Sequence, residues 1–568
     1  MKRSQTSLIM AGVLAAAGVT LSPAAPASAS TTCTVDASNT WADGYVLAVG
    51  VNNTGPGTVS GWTVRLNFAE PPGITGSWSA ALSTAGNVVT ATNVSYNGDI
   101  AAGQTASFGL QGTHDGTFSP PTCTVAGGTT EPPATTPPAT TTPPVTTTTA
   151  PATTTPSAPA DITVNPATKY QTVDGFGAAT PIWGGAWSTT DTQTLVGLGT
   201  NQLGLSIVRT GLSPVSGEWS TAVNSLKTAK SYGSGVKILA SPWTAPANFK
   251  TNNSRTGGGK LKTDYYDDYA AHLNSYVQYM KGQGVTIDVT SVQNEPDWHP
   301  DYDSMDWNGT ELRNFVHDQG AKVTDTKLLV AESLGFNRSY TDPTLNDATA
   351  RANLGYIGGH LYGTEASGNL SAYPLAAQYG KNQWMTEWNL HAADGSGSNI
   401  WGDPGNVKVW NETLDDVMRT VHRSMEANWS AYVWWYGKRY YSFIGDGEAQ
   451  FGTTAGAPLK RGFAFSQFAK YVRPGYQRVG LTRSTKASPL EVTAYQGNGK
   501  IVLVVLNRSS GPISKAVIQV PQSISAAQYV ATSQSQNAAG QAATVNGSQV
   551  TVDVGARSIS TVVLTTGS

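Results

Sequence analysis

The chain has 568 residues, with 35 Lys and Arg against 37 Asp and Glu and a formal net charge of -2. One hydrophobic core stops growing well short of this length, so two to four domains are expected. Near-neutrality excludes the electrostatic footprint of a nucleic-acid or anionic-membrane binder. A charged content of 13% beside 16 Trp and 23 Tyr suits a neutral, aromatic-lined site better than a phosphate site.

Residues 1–29 read as an export signal. Lys2 and Arg3 precede an apolar run over residues 8–19, and Ala27, Ser28 and Ala29 supply the small-residue cleavage pattern. No later run of about 20 apolar residues follows, so the mature product is expected to be secreted and free of the membrane. The two cysteines, Cys33 and Cys123, fall early in that product. In an oxidising compartment they read as one disulfide tying the ends of an N-terminal domain. The alternative, thiols that are free or bind metal, lacks Cys or His partners at ligand spacing.

Residues 31–125 carry short alternating runs, "YVLAVGVNN", "GWTVRLNF", "NVVTATNVSYNG" and "TASFGLQG", divided by Gly, Pro and Asn. This pattern predicts an all-β sandwich of about eight strands. Residues 126–160 then change to Pro, Thr and Ala with almost no large apolar side chain. Such a segment cannot bury a core and reads as an extended, semi-rigid tether.

On Cys33, "WADGY", "GWTVRLNF", "GSWSA", "NVSYNG", "SFGLQG" and Cys123, the N-terminal region resembles a family 2 carbohydrate-binding module. The resemblance implies a flat strip of three aromatics, here Trp41, Trp78 and Tyr96, stacking on the pyranose rings of cellulose or xylan. An aromatic face against the C–H face of a sugar buries much apolar area. Trp62, alternating with polar residues inside its strand, reads instead as core.

Past the tether, eight apolar strand-like runs follow in order: "VDGFGAA", "GLSIVRT", "VKILASPW", "VTSVQNEP", "LLVAES", "IGGHLYG", "QWMTEWN" and "AYVWWYG". Helical faces lie between them. Tyr269, Leu273, Tyr276, Val277 and Met280 mark one, and Leu414, Met418, Val421 and Met425 another. Residues 172–472 are therefore expected to form an α/β fold, a (β/α)8 barrel whose active site lies at the C-terminal strand ends. Residues 473–568 return to period-two alternation and predict an appended β-sandwich, to which residues 161–171 add a strand.

Two of those strand ends carry carboxylates. Glu295 closes "VTSVQNEP" and Glu387 closes "QWMTE", so both project into the mouth of one barrel from opposite arcs. Two carboxylates across a cleft are the minimum equipment for glycosidic hydrolysis, one to protonate the leaving oxygen and one to stabilise or attack the anomeric carbon. Pro296 is expected to hold Glu295 in extended geometry. Asn294 is placed to donate its amide to the hydroxyl beside the reacting carbon. His360 reads as a hydrogen-bonded wall residue, because nothing pairs it with a nucleophilic Ser or Cys and no metal-ligand spacing appears.

On "DGFGAA", "ILASPWTAPANFKTNN", "SVQNEPDW", "GGHLYG", "WMTE", "AYVWWYG" and "LKRGFAFSQFAKYVRPGYQRV", residues 161–568 resemble glycoside hydrolase family 30, in the manner of its bacterial glucuronoxylanases. The resemblance implies a retaining endo-β-1,4-xylanase acting on glucuronoxylan, with Glu295 as acid/base, Glu387 as nucleophile and no cofactor or metal. Trp243 then stacks on a xylose ring, Tyr362 and Tyr436 bond near the nucleophile, and Trp435 walls the cleft. Arg439 in "WWYGKRYY" takes the position of an arginine whose fork pairs with the glucuronate branch. The competing expectation pairs Lys438 and Arg439 with Asp446 or Glu448 at the surface. Other members of the family imply a β-galactanase, β-glucanase or exo-glycosidase instead, and a reading from another class is a wall-binding lectin with a dead barrel. Plant cell-wall polysaccharide is the expected partner, and the chain is expected to be monomeric.

Overall fold

The computed structural model describes residues 31–566, apart from 42–43, 95–96, 115–117, 126–157, 184, 234, 364–369 and 395–398. The expected export signal, residues 126–157 of the expected tether, and Tyr96 lie outside the described residues. The chain divides into two compact units, Met1–Pro151 and Ala152–Ser568.

In the first unit, alternating apolar residues pair into two four-stranded antiparallel sheets. One has the order Thr31–Trp41, Gly44–Asn53, Thr105–Thr113, Gly73–Trp78, and the other Thr122–Val125, Thr63–Asn67, Val88–Thr92, Ala81–Ala85. A short pair, Val59–Ser60 with Asp99–Ile100, supplements the eight expected strands. Leu47, Val49, Val64, Leu66, Val89 and Leu110 fill the core at no measurable exposure or nearly so. Trp62 is buried among them, its ring stacked on Phe108 at 5.3 Å and its Nε1–H donating to the Asn97 carbonyl at 2.7 Å. Trp41 and Trp78 each end a strand of the same sheet. Cys33 and Cys123 form a disulfide across 90 residues of sequence.

The second unit is built on a closed parallel barrel of β1 (Gly175–Ala179), β2 (Ile207–Gly211), β3 (Lys237–Ser241), β4 (Val289–Ser291), β5 (Lys327–Ser333), β6 (Leu354–His360), β7 (Asn382–Glu387) and β8 (Ala431–Tyr436), with β8 pairing back onto β1. Side chains alternate between two cores. Ile207, Leu239, Val289, Leu329, Trp384 and Val433 fill the interior, while neighbours such as Val208, Ile238, Leu328 and Val330 face the helices. At the lower mouth Asp174 accepts from Trp384 Nε1 at 3.0 Å and Asn382 Nδ2 at 2.8 Å and pairs with Lys237.

The helix Tyr266–Gly282 buries Tyr269, Leu273, Tyr276, Val277 and Met280, the face its three- and four-residue spacing predicts. The second predicted face is wound as a π-helical turn, Glu412–Met418, running into the α-helix Arg419–Glu426, and Leu414, Met418, Val421 and Met425 are all buried. Strand β4 is shorter than its sequence suggests. It ends at Ser291, and from there single backbone bonds carry the chain across the barrel mouth: Val292 N–H to Leu329 O at 3.0 Å, Asn294 N–H to Pro242 O at 2.9 Å and Glu295 N–H to Glu332 O at 2.9 Å.

Beyond the helix Lys460–Ala469, the C-terminal strands join Ile162–Thr172 in one ten-stranded sheet. Residues from strands far apart in that order, Val164, Leu503, Ile518, Val550 and Leu564, share one apolar cluster, so the sheet folds over on itself as a sandwich.

The disulfide closes a loop long enough to remove about 4 kcal/mol of unfolded-state entropy. Replacing Cys33 and Cys123 together by Ser should lower the stability of the first unit by that order, read as a shifted denaturation midpoint of Trp62 fluorescence; an unmoved midpoint would show that the cross-link is ornamental.

Candidate active site

The barrel strands end in charged residues at their upper mouth. Arg209 lies on β2, Glu332 on β5, His360 ends β6, Glu387 ends β7, and Asn294 and Glu295 follow β4. Each is pointed at the same space because parallel strands deliver their C-terminal side chains to one face. One carboxylate oxygen of Glu295, one of Glu387 and one ring nitrogen of His360 all lie within 4.8 Å of one another. Both glutamates are buried, at 7% and 6% exposure.

Arg209 organises the group. Its guanidinium is wholly buried and donates from Nη1 to Glu387 Oε2 at 2.5 Å, from Nη2 to Asn294 Oδ1 at 2.5 Å and from Nε to Ser241 Oγ at 3.2 Å. Nη2 also pairs with Glu332 Oε1 at 3.1 Å. The rings of Trp243 and Trp435 stand over the cation at 4.7 and 6.0 Å, a cation–π enclosure that keeps water from it. The bond to Arg209 fixes the Asn294 amide with its carbonyl on the cation, leaving the NH2 group as donor.

Glu387 is held at both oxygens. Tyr362 donates to Oε1 at 2.9 Å and itself accepts from Asn389 Nδ2 at 2.9 Å. Burial and the charges of Glu387 and Glu295 hold the Tyr362 hydroxyl protonated far above the usual phenol range. Burial pushes the Glu387 carboxyl upward, against His360 and Arg209, which pull it down.

His360 is wholly buried with Nδ1 2.9 Å from Glu295 Oε1. Its Nε2 faces Glu332 Oε1 at 3.7 Å, an ion pair rather than a hydrogen bond. Burial favours the neutral ring, but Glu387, Glu295 and Glu332 outweigh it and raise the imidazole to about 9. Burial likewise opposes ionisation of Glu332, yet Arg209 and His360 bring it down to about 2. The cluster thus sets the carboxyl groups of Glu295, Glu332 and Glu387 around a guanidinium and an imidazolium. The same triad of Glu295, His360 and Glu387 has the proximity of metal ligands, but both Glu387 oxygens and His360 Nδ1 are already engaged, and a cation at Glu387 would have to displace Arg209.

The backbone at the two facing turns is left-handed: φ is +45° at Glu295 and +49° at Glu332. The expected extended geometry of Glu295 is therefore incorrect. The tertiary bond from Glu295 N–H to Glu332 O overrides the local preference set by Pro296, and positions of this kind cost about 1–3 kcal/mol that the surrounding structure must offset.

Of the other expected residues, Trp243 is buried beside Arg209, and Trp435 is half-buried with Tyr436 stacked on it at 4.2 Å. Tyr436 does not bond at the nucleophile; its hydroxyl meets the backbone of Ile182, and Tyr362 alone of the two donates to Glu387. Arg439 is 42% exposed and donates from Nη1 to Glu448 Oε1 at 2.6 Å, with Asp446 at 3.6 Å. Lys438 pairs with Asp191 at 2.8 Å. The arginine fork is thus already in the surface ion pair of the competing expectation. Arg209, Glu332 and Asn389 escaped sequence reasoning, although Arg209 and Glu332 carry the signal that marked Glu295, a charge at the end of an apolar strand.

Comparison with known proteins matches residues 31–130 to a family model described as a cellulose binding domain, and residues 215–403 to the glycosyl hydrolase family 30 TIM-barrel domain. The glucuronoxylanase XynC of Bacillus subtilis (strain 168) is 33% identical over 415 residues, covering 72% of this chain and 92% of its own. Among solved structures, the glycoside hydrolase family 30 subfamily 8 xylanase Xyn30A of Clostridium acetobutylicum aligns with a TM-score of 0.62 at 33% identity, over 71% of this chain and 99% of that one. A family 30 endoxylanase of Clostridium papyrosolvens aligns with a TM-score of 0.60 at 31% identity, over 72% and 100%. With its barrel, its facing glutamates and these relatives, the chain belongs to glycoside hydrolase family 30 and carries an N-terminal family 2 carbohydrate-binding module.

Proposed function

We propose that the protein is a secreted, retaining endo-β-1,4-xylanase acting on glucuronoxylan, brought to plant cell wall by its polysaccharide-binding module. The observation that carries the reading is the approach of Glu295 and Glu387 within 4.8 Å between carboxylate oxygens. So close an approach of two oxygens fits the roughly 5–5.5 Å of a nucleophilic pair better than the roughly 6.5–9.5 Å of an inverting pair, which must hold a water between its carboxyl groups. The choice of xylan is supported by the named activities of the relatives. Export is supported by the N-terminal sequence pattern and the disulfide. Among the described residues no helix is long and apolar enough to cross a membrane.

In the first half-reaction a Glu387 oxygen forms a bond to the anomeric carbon while the bond to the leaving sugar breaks and Glu295 gives that oxygen its proton. In the second, Glu295 takes a proton from water, the water oxygen attacks the same carbon, and the Glu387 ester bond breaks. Arg209 and Tyr362 hold the attacking carboxylate in one rotamer, which supplies the orientation part of the rate. The Asn294 amide is free to donate to the hydroxyl next to the reacting carbon. His360 as imidazolium donates to Glu295 and fixes the direction of the acid.

Trp41, Trp78 and Tyr96 are assigned to the polysaccharide face of the module, and Trp243 and Trp435 to the wall around the reacting sugar. Arg439 already spends Nη1 on Glu448, and a uronate branch would share the fork with that carboxylate, which favours a loose branch requirement.

Glu387→Gln should abolish release of reducing ends from glucuronoxylan while leaving xylan binding intact; turnover above a hundredth of the parent would overturn the nucleophile assignment. Comparing Arg439→Ala with the parent on glucuronoxylan and on debranched xylan tests the branch. A kcat/KM loss confined to the branched substrate assigns the clamp, and equal loss on both reduces Arg439 to scaffold.

The raised His360 pKa is a linkage statement: its charge stabilises the fold fully below the unfolded-state value near 6.5 and is lost as pH rises through about 9. Glu332→Gln removes one of the charges that raise it. The imidazole titration followed by NMR should therefore move to lower pH, and the alkaline limb of the pH–rate profile with it; an unmoved titration would break the link between Glu332 and His360.

A further inference from the structure

The pairing of β7 with β8 runs past Glu387. The Trp435 N–H donates to the Trp388 carbonyl at 3.0 Å, and the Trp388 ring is buried edge-on to Trp434 at 5.7 Å. Alternation along a paired chain then returns Asn389 to the side of the strand that Glu387 occupies. The next residue is fixed as well. Leu390 O accepts from Arg461 Nη1 at 2.6 Å, and the same buried guanidinium donates to Tyr441 O at 2.8 Å and to Glu412 Oε1 at 2.6 Å. Asn389 is therefore held between two backbone anchors, one on β8 and one on the helix Lys460–Ala469.

What the residue does there follows from counting protons. The Tyr362 hydroxyl has one, and two partners stand 2.9 Å from its oxygen, Glu387 Oε1 and Asn389 Nδ2. Of the two, only the carboxylate can accept; the amide nitrogen is a donor. The opposite amide orientation would set two acceptors against one proton and is disfavoured. With Asn389 giving to the hydroxyl oxygen, the tyrosine proton points at Glu387, and the incoming bond polarises the O–H and strengthens the outgoing one. The remaining supports of Tyr362 are its N–H, which donates to Leu334 O at 3.2 Å, and its ring, edge-on to His360 at 6.1 Å. They place the ring but leave the hydroxyl hydrogen free to turn.

We propose that Asn389 is a positioning residue for the nucleophile: it commits the proton of Tyr362 to Glu387 and thereby favours the ionised carboxylate that must attack. The proposal rests on the reading of Glu387 as nucleophile and adds to it the residue that sets the direction of its tyrosine bond. Asn389 acts through Tyr362, so its contribution should vanish when that hydroxyl is removed. Losing the donor weakens a bond made to the carboxylate and not to the carboxylic acid, so the Glu387 carboxyl then titrates at higher pH. The other titratable groups that face Glu387, namely Arg209, Glu295, His360, Tyr302, Tyr436 and Tyr441, are the same in every variant below.

The test is the pH profile of kcat/KM on glucuronoxylan for the full chain and for Asn389→Leu, Tyr362→Phe and the double variant. Leu keeps the branched shape and adds no charge but cannot donate, and Asn389→Ala repeats the measurement without asking for room. The acidic limb reports the essential carboxylate of the free enzyme. Asn389→Leu should move it to higher pH by roughly half to one pH unit, with KM on the plateau unchanged. On the Tyr362→Phe background the same substitution should move it no further. A limb unmoved in both Asn389 variants, an equal movement with and without the hydroxyl, or a rise in KM in place of the movement overturns the proposal. Turnover by the parent on galactan or β-glucan but not on glucuronoxylan overturns the xylan reading instead. The cycle is then run on that substrate, because the relay acts on Glu387 whichever sugar is cleaved, and no turnover on any of the three overturns both.

Discussion

The buried guanidinium of Arg209 is the constraint from which the mouth of the barrel is organised. Taking an isolated cation out of water costs several kcal/mol, and only well-placed acceptors offset it. Here the acceptors come from the ends of β3, β5 and β7 and from the turn after β4, so one side chain on β2 ties most of the barrel's upper rim together. The arrangement that keeps the fold intact is the same one that orients the proposed nucleophile.

The charges on either side of Arg209 work as an alternating chain: Glu387, Arg209, Glu332, His360, Glu295. Glu332 is the carboxylate at the centre of that chain, paired with Arg209 on one side and facing His360 on the other. It stands between the two cations and so places one beside Glu387 and the other beside Glu295, whose oxygens approach within 4.8 Å. The left-handed turns at Glu295 and Glu332 belong to the same solution, since their backbone bond brings the two strand ends close enough for the chain of charges to connect.

The eight barrel strands were legible because each is an apolar run bounded by turn residues and separated by helical spacing, a signal carried within a few residues. Glu295 and Glu387 were legible for a related reason, as charges ending such runs. Arg209 and Glu332 show the same pattern, but what they do depends on partners scattered across the chain, and no local period records that Arg209 will meet residue 387. The geometry of Glu295 ran opposite to expectation because proline's local bias is weaker than the tertiary bond to Glu332. Arg439 is similar: its pairing is decided by a loop that returns Asp446 and Glu448 to it, and the choice between Tyr362 and Tyr436 depends on rim geometry that the two strands flanking β7 cannot reveal alone.

The strand Ile162–Thr172 pairs antiparallel with Gln477–Arg483, and Thr172 and Gln477, the partners nearest in sequence, stand 305 residues apart. During synthesis the earlier partner must therefore wait, as an open hydrogen-bonding edge, until the whole barrel has left the ribosome. Its sequence, "ITVNPATKYQT", is suited to that wait: Pro166 lacks a donor and Lys169 brings a charge, two features that discourage a bare edge from recruiting another molecule. Contacts so remote along the polypeptide carry a large loop-closure cost and come late, which makes docking of this ribbon a natural closing event in the assembly of the catalytic unit.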